Sequence, residues 1–158
     1  STIWFSIAGV LLGSSILYIS SIMLSRLIRL QNHTSSSKGM SVSIASLFML
    51  TLLALVMILM LSGVIDSSSY LIIKKAHYSL GLFGWIGLLI ISISSQVIEM
   101  FYVTPPYPTL ATRYLPYGIF SAIVSALFLA LFGLDIFNIL FWVLALTLIA
   151  YALLTLYR

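Results

Sequence analysis

Five apolar runs, each long enough to cross a membrane, occupy most of this sequence. They cover residues 3–25, 41–64, 76–99, 115–133 and 136–157. A membrane-spanning helix needs about 20 such residues. Charged residues make up only 6% of the chain, whereas soluble domains carry about 25%. The sequence therefore predicts an all-α integral membrane bundle of five transmembrane helices, formed by a single domain over 1–158.

The basic residues between these runs predict the orientation of the bundle. Those expected at one membrane face are Arg26, Arg29, Lys38, Arg113 and Arg158. Only Lys74 and Lys75 are expected at the opposite face. Because cytoplasmic loops carry an excess of Lys and Arg, we expect an outside N-terminus and a cytoplasmic C-terminus. These residues are too few and too scattered to indicate a nucleic-acid partner.

Small residues at regular spacing predict close helix packing at two places. Gly9 and Gly13 form a GxxxG motif in the first run. The fourth run repeats small residues at Gly118, Ala122, Ala126 and Ala130. Such spacing lets two helix backbones approach each other, and the neighbouring helix belongs either to this chain or to another subunit.

The short linker between the last two runs predicts a tight hairpin. Gly133 is expected just past the end of one helix, where glycine is favoured, and Asp135 is expected to cap the start of the next.

The third run carries polar and small residues along one helical edge. These residues recur at spacings of three and four, and they are His77, Gly81, Gly84, Leu88, Ser92, Ser95 and Glu99. The opposite edge is apolar and consists of Leu82, Phe83, Leu89, Ile90, Ile93 and Val97. We expect the first edge to pack against protein and the second edge to face lipid.

His77 opens this third run and has three possible roles. It is a ligand of haem or copper, a proton-handling group, or a hydrogen-bonded histidine at the membrane interface. His33, the other histidine, is expected at the opposite membrane face, about 30 Å away. The two cannot ligate one metal within one chain, so a metal site at His77 needs a Met, a Tyr or a residue from a partner chain.

Gln96 and Glu99 close the third run, just before the stiff proline-rich segment 103–108. A carboxylate at the end of a membrane helix is either a structural surface group or part of a small polar cavity. No complete catalytic constellation is present in the sequence. The absence of Cys excludes a thiol nucleophile and Cys-ligated metals.

Three stretches of this region carry a resemblance to a known group of proteins. They are HYSLGLFGWIGLLI at 77–90, QVIEMF at 96–101 and TPPYP at 104–108. They resemble a block in bacterial polytopic membrane proteins that are often labelled permeases. Those proteins are similar to haem–copper oxidase subunit I and to haem-containing nitric-oxide-response membrane proteins. The chain departs from the pattern at Glu99, where the family has proline, and in its smaller number of spans and histidines.

The resemblance implies that His77 corresponds to the family's helix-opening histidine, a position that can ligate haem or copper. It also implies that the chain is a fragment or one half of a larger bundle, in a bacterial inner membrane.

Three functions therefore stand as hypotheses. The first is a subunit or fragment of a haem–copper-oxidase-like membrane protein. The second is a transporter or channel component, with a polar pathway along Gly81, Gly84, Ser92, Ser95, Gln96 and Glu99. The third is a structural subunit whose small-residue edge is covered by another chain. All three place the chain in a lipid bilayer, beside other membrane subunits or the rest of a longer chain.

Overall fold

The computed structural model describes residues 2–29, 34–102, 105 and 107–157 of the chain. Within these residues the fold is all-α. The α-helices are α1 (Thr2–Ile28), α2 (Ser35–Leu61), α3 (Tyr70–Ser79), α4 (Leu88–Tyr102), α5 (Leu115–Leu131) and α6 (Phe137–Tyr157). Two π-helical segments complete them. Leu80–Gly87 joins α3 to α4, and Leu110–Tyr114 leads into α5.

Where a π-helical segment joins the neighbouring α-helices, they form one continuous helix. Counted in this way, five helices of the described residues are long and apolar enough to cross a membrane. They are Trp4–Ile28, Ser35–Leu61, Tyr70–Tyr102, Leu110–Leu131 and Phe137–Tyr157. We call Tyr70–Tyr102 the third span and Leu110–Leu131 the fourth span. The prediction of five membrane-spanning helices is confirmed at this level of length and composition, and the chain is consistent with an integral membrane protein.

The first span packs mainly against the second, and its GxxxG motif makes that contact. A Cβ added at Gly13 would lie 2.7 Å from a methyl group of Leu55, and one added at Gly9 would clash with Ile58. Most other side chains of α1 are exposed on the surface of the bundle. The motif therefore serves packing within this chain.

The linker between α5 and α6 forms the predicted hairpin. Gly133 adopts a φ of +94°, which L-residues with a Cβ rarely adopt, and the Leu134 N–H donates to the Leu129 carbonyl at 2.9 Å. The Asp135 carboxylate accepts from the Phe137 N–H at 3.1 Å and so caps the start of α6. Asp135 also pairs with Lys75 of α3, which ties the hairpin to the third span.

The third span contains the first π-helical segment. Three glycines at Gly81, Gly84 and Gly87 weaken the α-helical preference here, and the Leu88 N–H bonds to the Phe83 carbonyl, five residues back. A π turn holds more residues than an α turn.

Two expectations for the third span are wrong, although the buried positions keep the spacing of a regular helix through this segment. Phe83, expected to face lipid, is only 2% exposed and packs edge-to-face on Phe141 of α6, with ring centroids 5.1 Å apart. Gly81, expected at a close helix contact, has no atom within 4 Å of its added Cβ. The exposure of Leu82, Ile90, Ile93 and Val97 agrees with the expected lipid-facing edge.

The apolar core lies where α2, the third span, the fourth span and α6 meet. Its most buried members are Leu80, Phe83, Leu88, Ile91, Ile119, Ile123 and Leu144. In the fourth span, Ala126 and Ala130 are buried, whereas Gly118 faces open space. The expected small-residue contact is therefore present only in the second half of that helix.

Candidate functional site

A seam of small residues joins α2 to the third span. Gly39 packs on Ser92, because a Cβ at position 39 would clash with the Ser92 hydroxyl and lie 3.1 Å from its Cβ. Further along, a Cβ at Gly84 would lie 2.8 Å from the Ser46 hydroxyl. At these points α2 of the same chain thus covers the small-residue edge of the third span. The structural-subunit hypothesis expected another chain to cover that edge.

The α2 side of this seam was missed by the sequence reasoning. Its buried members are Ser36, Gly39, Ser43 and Ser46, spaced three, four and three residues apart. The same spacing rule that identified the third-span edge would have identified this one. The stretch is polar at its start, and it was therefore assigned partly to the linker before residue 41.

Three hydroxyl groups in the seam, those of Ser43, Ser46 and Ser92, donate hydrogen bonds within the chain. Ser92 donates to the Leu88 carbonyl at 2.7 Å, and Ser46 donates to the Val42 carbonyl at 2.9 Å. Ser43 is different, because it donates across the seam to the Trp85 carbonyl at 2.8 Å. Around Gly84 and Ser92 the seam is closely packed, which is typical of helix adhesion rather than of an open polar pathway.

The seam opens into a polar cavity of about 400 Å³ at the end where α2 begins and α4 ends. The described residues that line it are Thr34, Ser35, Ser36, Ser95, Gln96, Glu99, Tyr107, Thr109 and Thr112. The structure therefore brings Ser95, Gln96 and Glu99 of the predicted stripe together at this cavity. It does not bring His77 or Gly81 there.

Glu99 holds the linker that closes the cavity. Its Oε1 accepts a hydrogen bond from the Tyr107 N–H. The buried Tyr107 ring stacks on Tyr151 of α6 at 5.7 Å, and its hydroxyl donates to Thr155 at 3.1 Å. The linker is thus fastened to α4 by a carboxylate and to α6 by a ring stack. Residues 103–104 and 106 of the proline-rich segment lie outside the described residues.

The electrostatics of the cavity combine a carboxylate with the start of a helix. Glu99 is the only acidic side chain among the described lining residues. Thr34 caps α2 by accepting from the Ser37 N–H at 3.2 Å, and the first turn of α2 contributes the positive end of its dipole. Glu99 lies about 20 Å along the axis from Ile86, the midpoint of the third span. This exceeds the half-thickness of about 15 Å of a hydrocarbon core, so a bilayer centred on Ile86 would have the cavity at headgroup level.

His77 lies towards the other end of the third span and is half-buried against α2. Its Nδ1 is 2.9 Å from the Leu50 carbonyl oxygen. A carbonyl only accepts, so Nδ1 carries a proton, and the tautomer with a single proton there has its lone pair at Nε2. The other histidine, His33, lies outside the described residues.

The described residues contain no group of three or more His, Cys, Asp or Glu side chains that could hold a metal ion. Among the described residues His77 therefore belongs to no such group, and a haem or copper at His77 would need further ligands of another residue type or from another chain.

No protein-family model, curated protein or solved structure matches this chain. The resemblance of 77–108 to the permease-labelled proteins therefore stays a prediction.

Proposed function

We propose that this chain is a transporter or channel component that binds a small polar solute in the Glu99 cavity. The observation that carries the proposal is the meeting of Glu99, Gln96 and a ring of hydroxyl groups around about 400 Å³ at one end of the bundle. Ionisable residues of membrane helices usually face the bundle interior or a polar cavity, and they often mark the path of a solute or ion. One carboxylate among hydroxyl groups suits a solute that donates hydrogen bonds to it.

Ligand-induced thermal stabilisation of the purified full chain tests this proposal. The probes are ammonium, urea and glycine, which all carry N–H donors, and sodium chloride serves as the ionic control. A ligand that binds only the folded state raises the melting temperature. We expect at least one N–H donor to raise it in the wild type and to lose that effect in Glu99→Gln.

The variant keeps the structural contact while it removes the charge, because the Gln carbonyl oxygen can still accept from the Tyr107 N–H. Asp66→Asn is the matched control, since Asp66 is exposed in the linker between α2 and α3 and does not line the cavity. A wild type that responds to none of the donors, or an equal response in Glu99→Gln, would contradict the proposal.

The proposed orientation has the N-terminus outside and the cavity on the cytoplasmic side of a bacterial inner membrane. Its support is the excess of Lys and Arg at the cavity end of the bundle. Single cysteines at Ser35 and Ser68 test it, because the chain has no native Cys and both positions are exposed. A membrane-impermeant maleimide added outside intact cells should label Ser68→Cys and leave Ser35→Cys unlabelled, and the reverse pattern would overturn the orientation.

A second candidate function is ligation of haem or copper by His77, as part of a haem–copper-oxidase-like membrane protein. The observation that favours it is the Nδ1–H bond to the Leu50 carbonyl. Ligating histidines usually donate their other ring nitrogen in this way. A further ligand would come from another subunit or from the rest of a longer chain. Protein purified with its native partners should then show a haem spectrum or stoichiometric copper that His77→Ala removes and His33→Ala retains.

A further inference from the structure

A narrow crevice lies at the cavity end of the bundle, between the end of α1, the start of α2 and the start of α5. It has a volume of about 180 Å³ and is lined by Ile28, Lys38, Ser41 and Tyr117. Lys38 lies about 15 Å from Phe48, the midpoint of α2. In a bilayer centred on Phe48, the ammonium group would lie near the boundary of the hydrocarbon core, where phospholipid phosphates begin.

Lys38 carries an unneutralised charge in this crevice. It is half-buried, and no carboxylate of the described residues lies within 4.0 Å of it. At the opposite end of the bundle, Lys75 has such a partner in Asp135. Glu99, the acidic residue at the Lys38 end, accepts from the Tyr107 N–H. A half-buried ammonium group needs an anion or water to offset the loss of hydration.

The second polar group in the crevice is the Tyr117 hydroxyl. The Tyr117 hydroxyl makes no hydrogen bond within the described part of the chain, whereas Ser41 donates to the Ser37 carbonyl at 2.8 Å. A phenol and an ammonium group in one crevice both donate, so they match an oxyanion. Ile28 supplies an apolar wall that a free ion would not use.

The surroundings of the crevice are positively charged. Arg26 and Arg29 end α1, and Arg113 precedes α5 at the same end of the bundle. All three are exposed, and each basic residue at a membrane surface attracts anionic lipid by about 1 kcal/mol. The positive electrostatic potential at this end of the bundle therefore attracts anionic headgroups to the crevice.

We propose that this crevice binds the headgroup of an anionic phospholipid. The phosphate accepts from the Lys38 ammonium group and the Tyr117 hydroxyl, and the start of an acyl chain lies against Ile28. The site is separate from the Glu99 cavity, because Lys38 and Tyr117 do not line that cavity. The two proposals can therefore fail independently.

Lipid titration of the full chain in neutral detergent tests this inference. Native mass spectrometry counts bound dioleoyl-phosphatidylglycerol and, in parallel, dioleoyl-phosphatidylcholine. We expect the anionic lipid to bind more tightly, and Lys38→Gln to weaken it about five-fold, which is the loss of about 1 kcal/mol. Tyr117→Phe removes only the hydroxyl and should also weaken the anionic lipid measurably.

Lys74→Gln is the matched control, because Lys74 is exposed near the opposite end of the bundle and the change removes the same charge. It should leave the affinity for phosphatidylglycerol unchanged. Equal weakening by Lys74→Gln would show diffuse attraction and overturn the site. An unchanged affinity in Lys38→Gln or in Tyr117→Phe would overturn it as well, and so would equal binding of the two lipids by the wild type.

Discussion

Gly39 of α2 lies directly against Ser92 of α4, with space for a hydrogen but none for a methyl group. The contact lies about midway between the Ser43–Trp85 hydrogen bond and the Glu99 cavity. Because Ser92 donates to its own helix, the contact depends on shape rather than on a bond between the two helices. Close backbone approach of this kind is the main source of adhesion between membrane helices, since lipid offers no hydrophobic driving force between them.

Substitution of Gly39, alone and together with Ser92, tests this contact. Gly39→Ala should lower stability by about 1–3 kcal/mol, the usual cost of overpacking. The double variant Gly39→Ala/Ser92→Gly removes the clashing atoms and should recover most of that loss. The measurement is a double-mutant cycle of thermal or denaturant unfolding in detergent.

Gly81→Ala is the control for this pair, because nothing lies within 4 Å of its added Cβ. It should leave stability unchanged or raise it slightly, since alanine favours helix. A loss at Gly81 equal to that at Gly39 would show that the effect comes from the backbone and not from the seam.

The hydrogen bond from Ser43 to Trp85 gives a second prediction. Ser43→Ala should destabilise the protein by about 0.6 kcal/mol, the typical worth of a hydrogen bond between membrane helices. Ser46→Ala should cost less, because the Ser46 hydroxyl donates to the Val42 carbonyl of its own helix. Unfolding of both variants under the same conditions gives the comparison, and the opposite order would contradict the assignment.

The sequence predicts the spans well because each apolar run must satisfy its own backbone in lipid. The hairpin was also predictable, since Gly133 and Asp135 have residue types that suit a turn and a cap. Phe83 was assigned to the lipid side because the small-residue stripe was taken as the whole packed face. That face also includes the adjoining positions Leu80, Phe83 and Gly87. The Ser43 side of the seam was missed because a run rich in serine was assigned partly to the linker before the second span.

The candidate site was predictable only in its third-span half. Gln96 and Glu99 were identified by their position at the end of an apolar run. Thr34 and Thr109, which line the same cavity, come from two other linkers. Only the folded chain brings them close to Gln96 and Glu99. The Tyr107–Tyr151 stack was likewise hidden, because both tyrosines also fit an interfacial aromatic belt.

The buried position of Phe83 gives a third prediction, which tests its packing against α6. Phe83→Ala should destabilise the protein by about 3–5 kcal/mol, because it empties a packed site against Phe141. Ile90→Ala, at a position that is 59% exposed, should cost little in a lipid-like environment. If Phe83 faced lipid instead, the two variants would show similar losses on thermal unfolding.

The ion pair of Asp135 and Lys75 gives a prediction about pH. The Lys75 ammonium group, followed by the Phe137 N–H, holds the pKa of Asp135 below its usual value of 3.8. A carboxyl whose pKa is lower in the folded state stabilises the fold above the unfolded pKa, and this stabilisation is lost as the pH falls through the folded pKa. The pKa of Asp66 is also lowered, because the hydroxyl and backbone N–H of Ser68 donate hydrogen bonds to its carboxylate.

Comparison of wild type with Asp135→Asn across pH isolates the contribution of Asp135. At pH 6 we expect the wild type to be more stable by at most about 1 kcal/mol, since the pair is partly exposed. The difference should begin to shrink near the unfolded pKa and should be lost as the pH falls through the lower folded pKa, because the carboxyl is then protonated in both the folded and the unfolded state. Lys75→Met should abolish most of this pH-dependent difference. A gap that stays constant or widens as the pH falls would show that the charge of Asp135 does not contribute to stability.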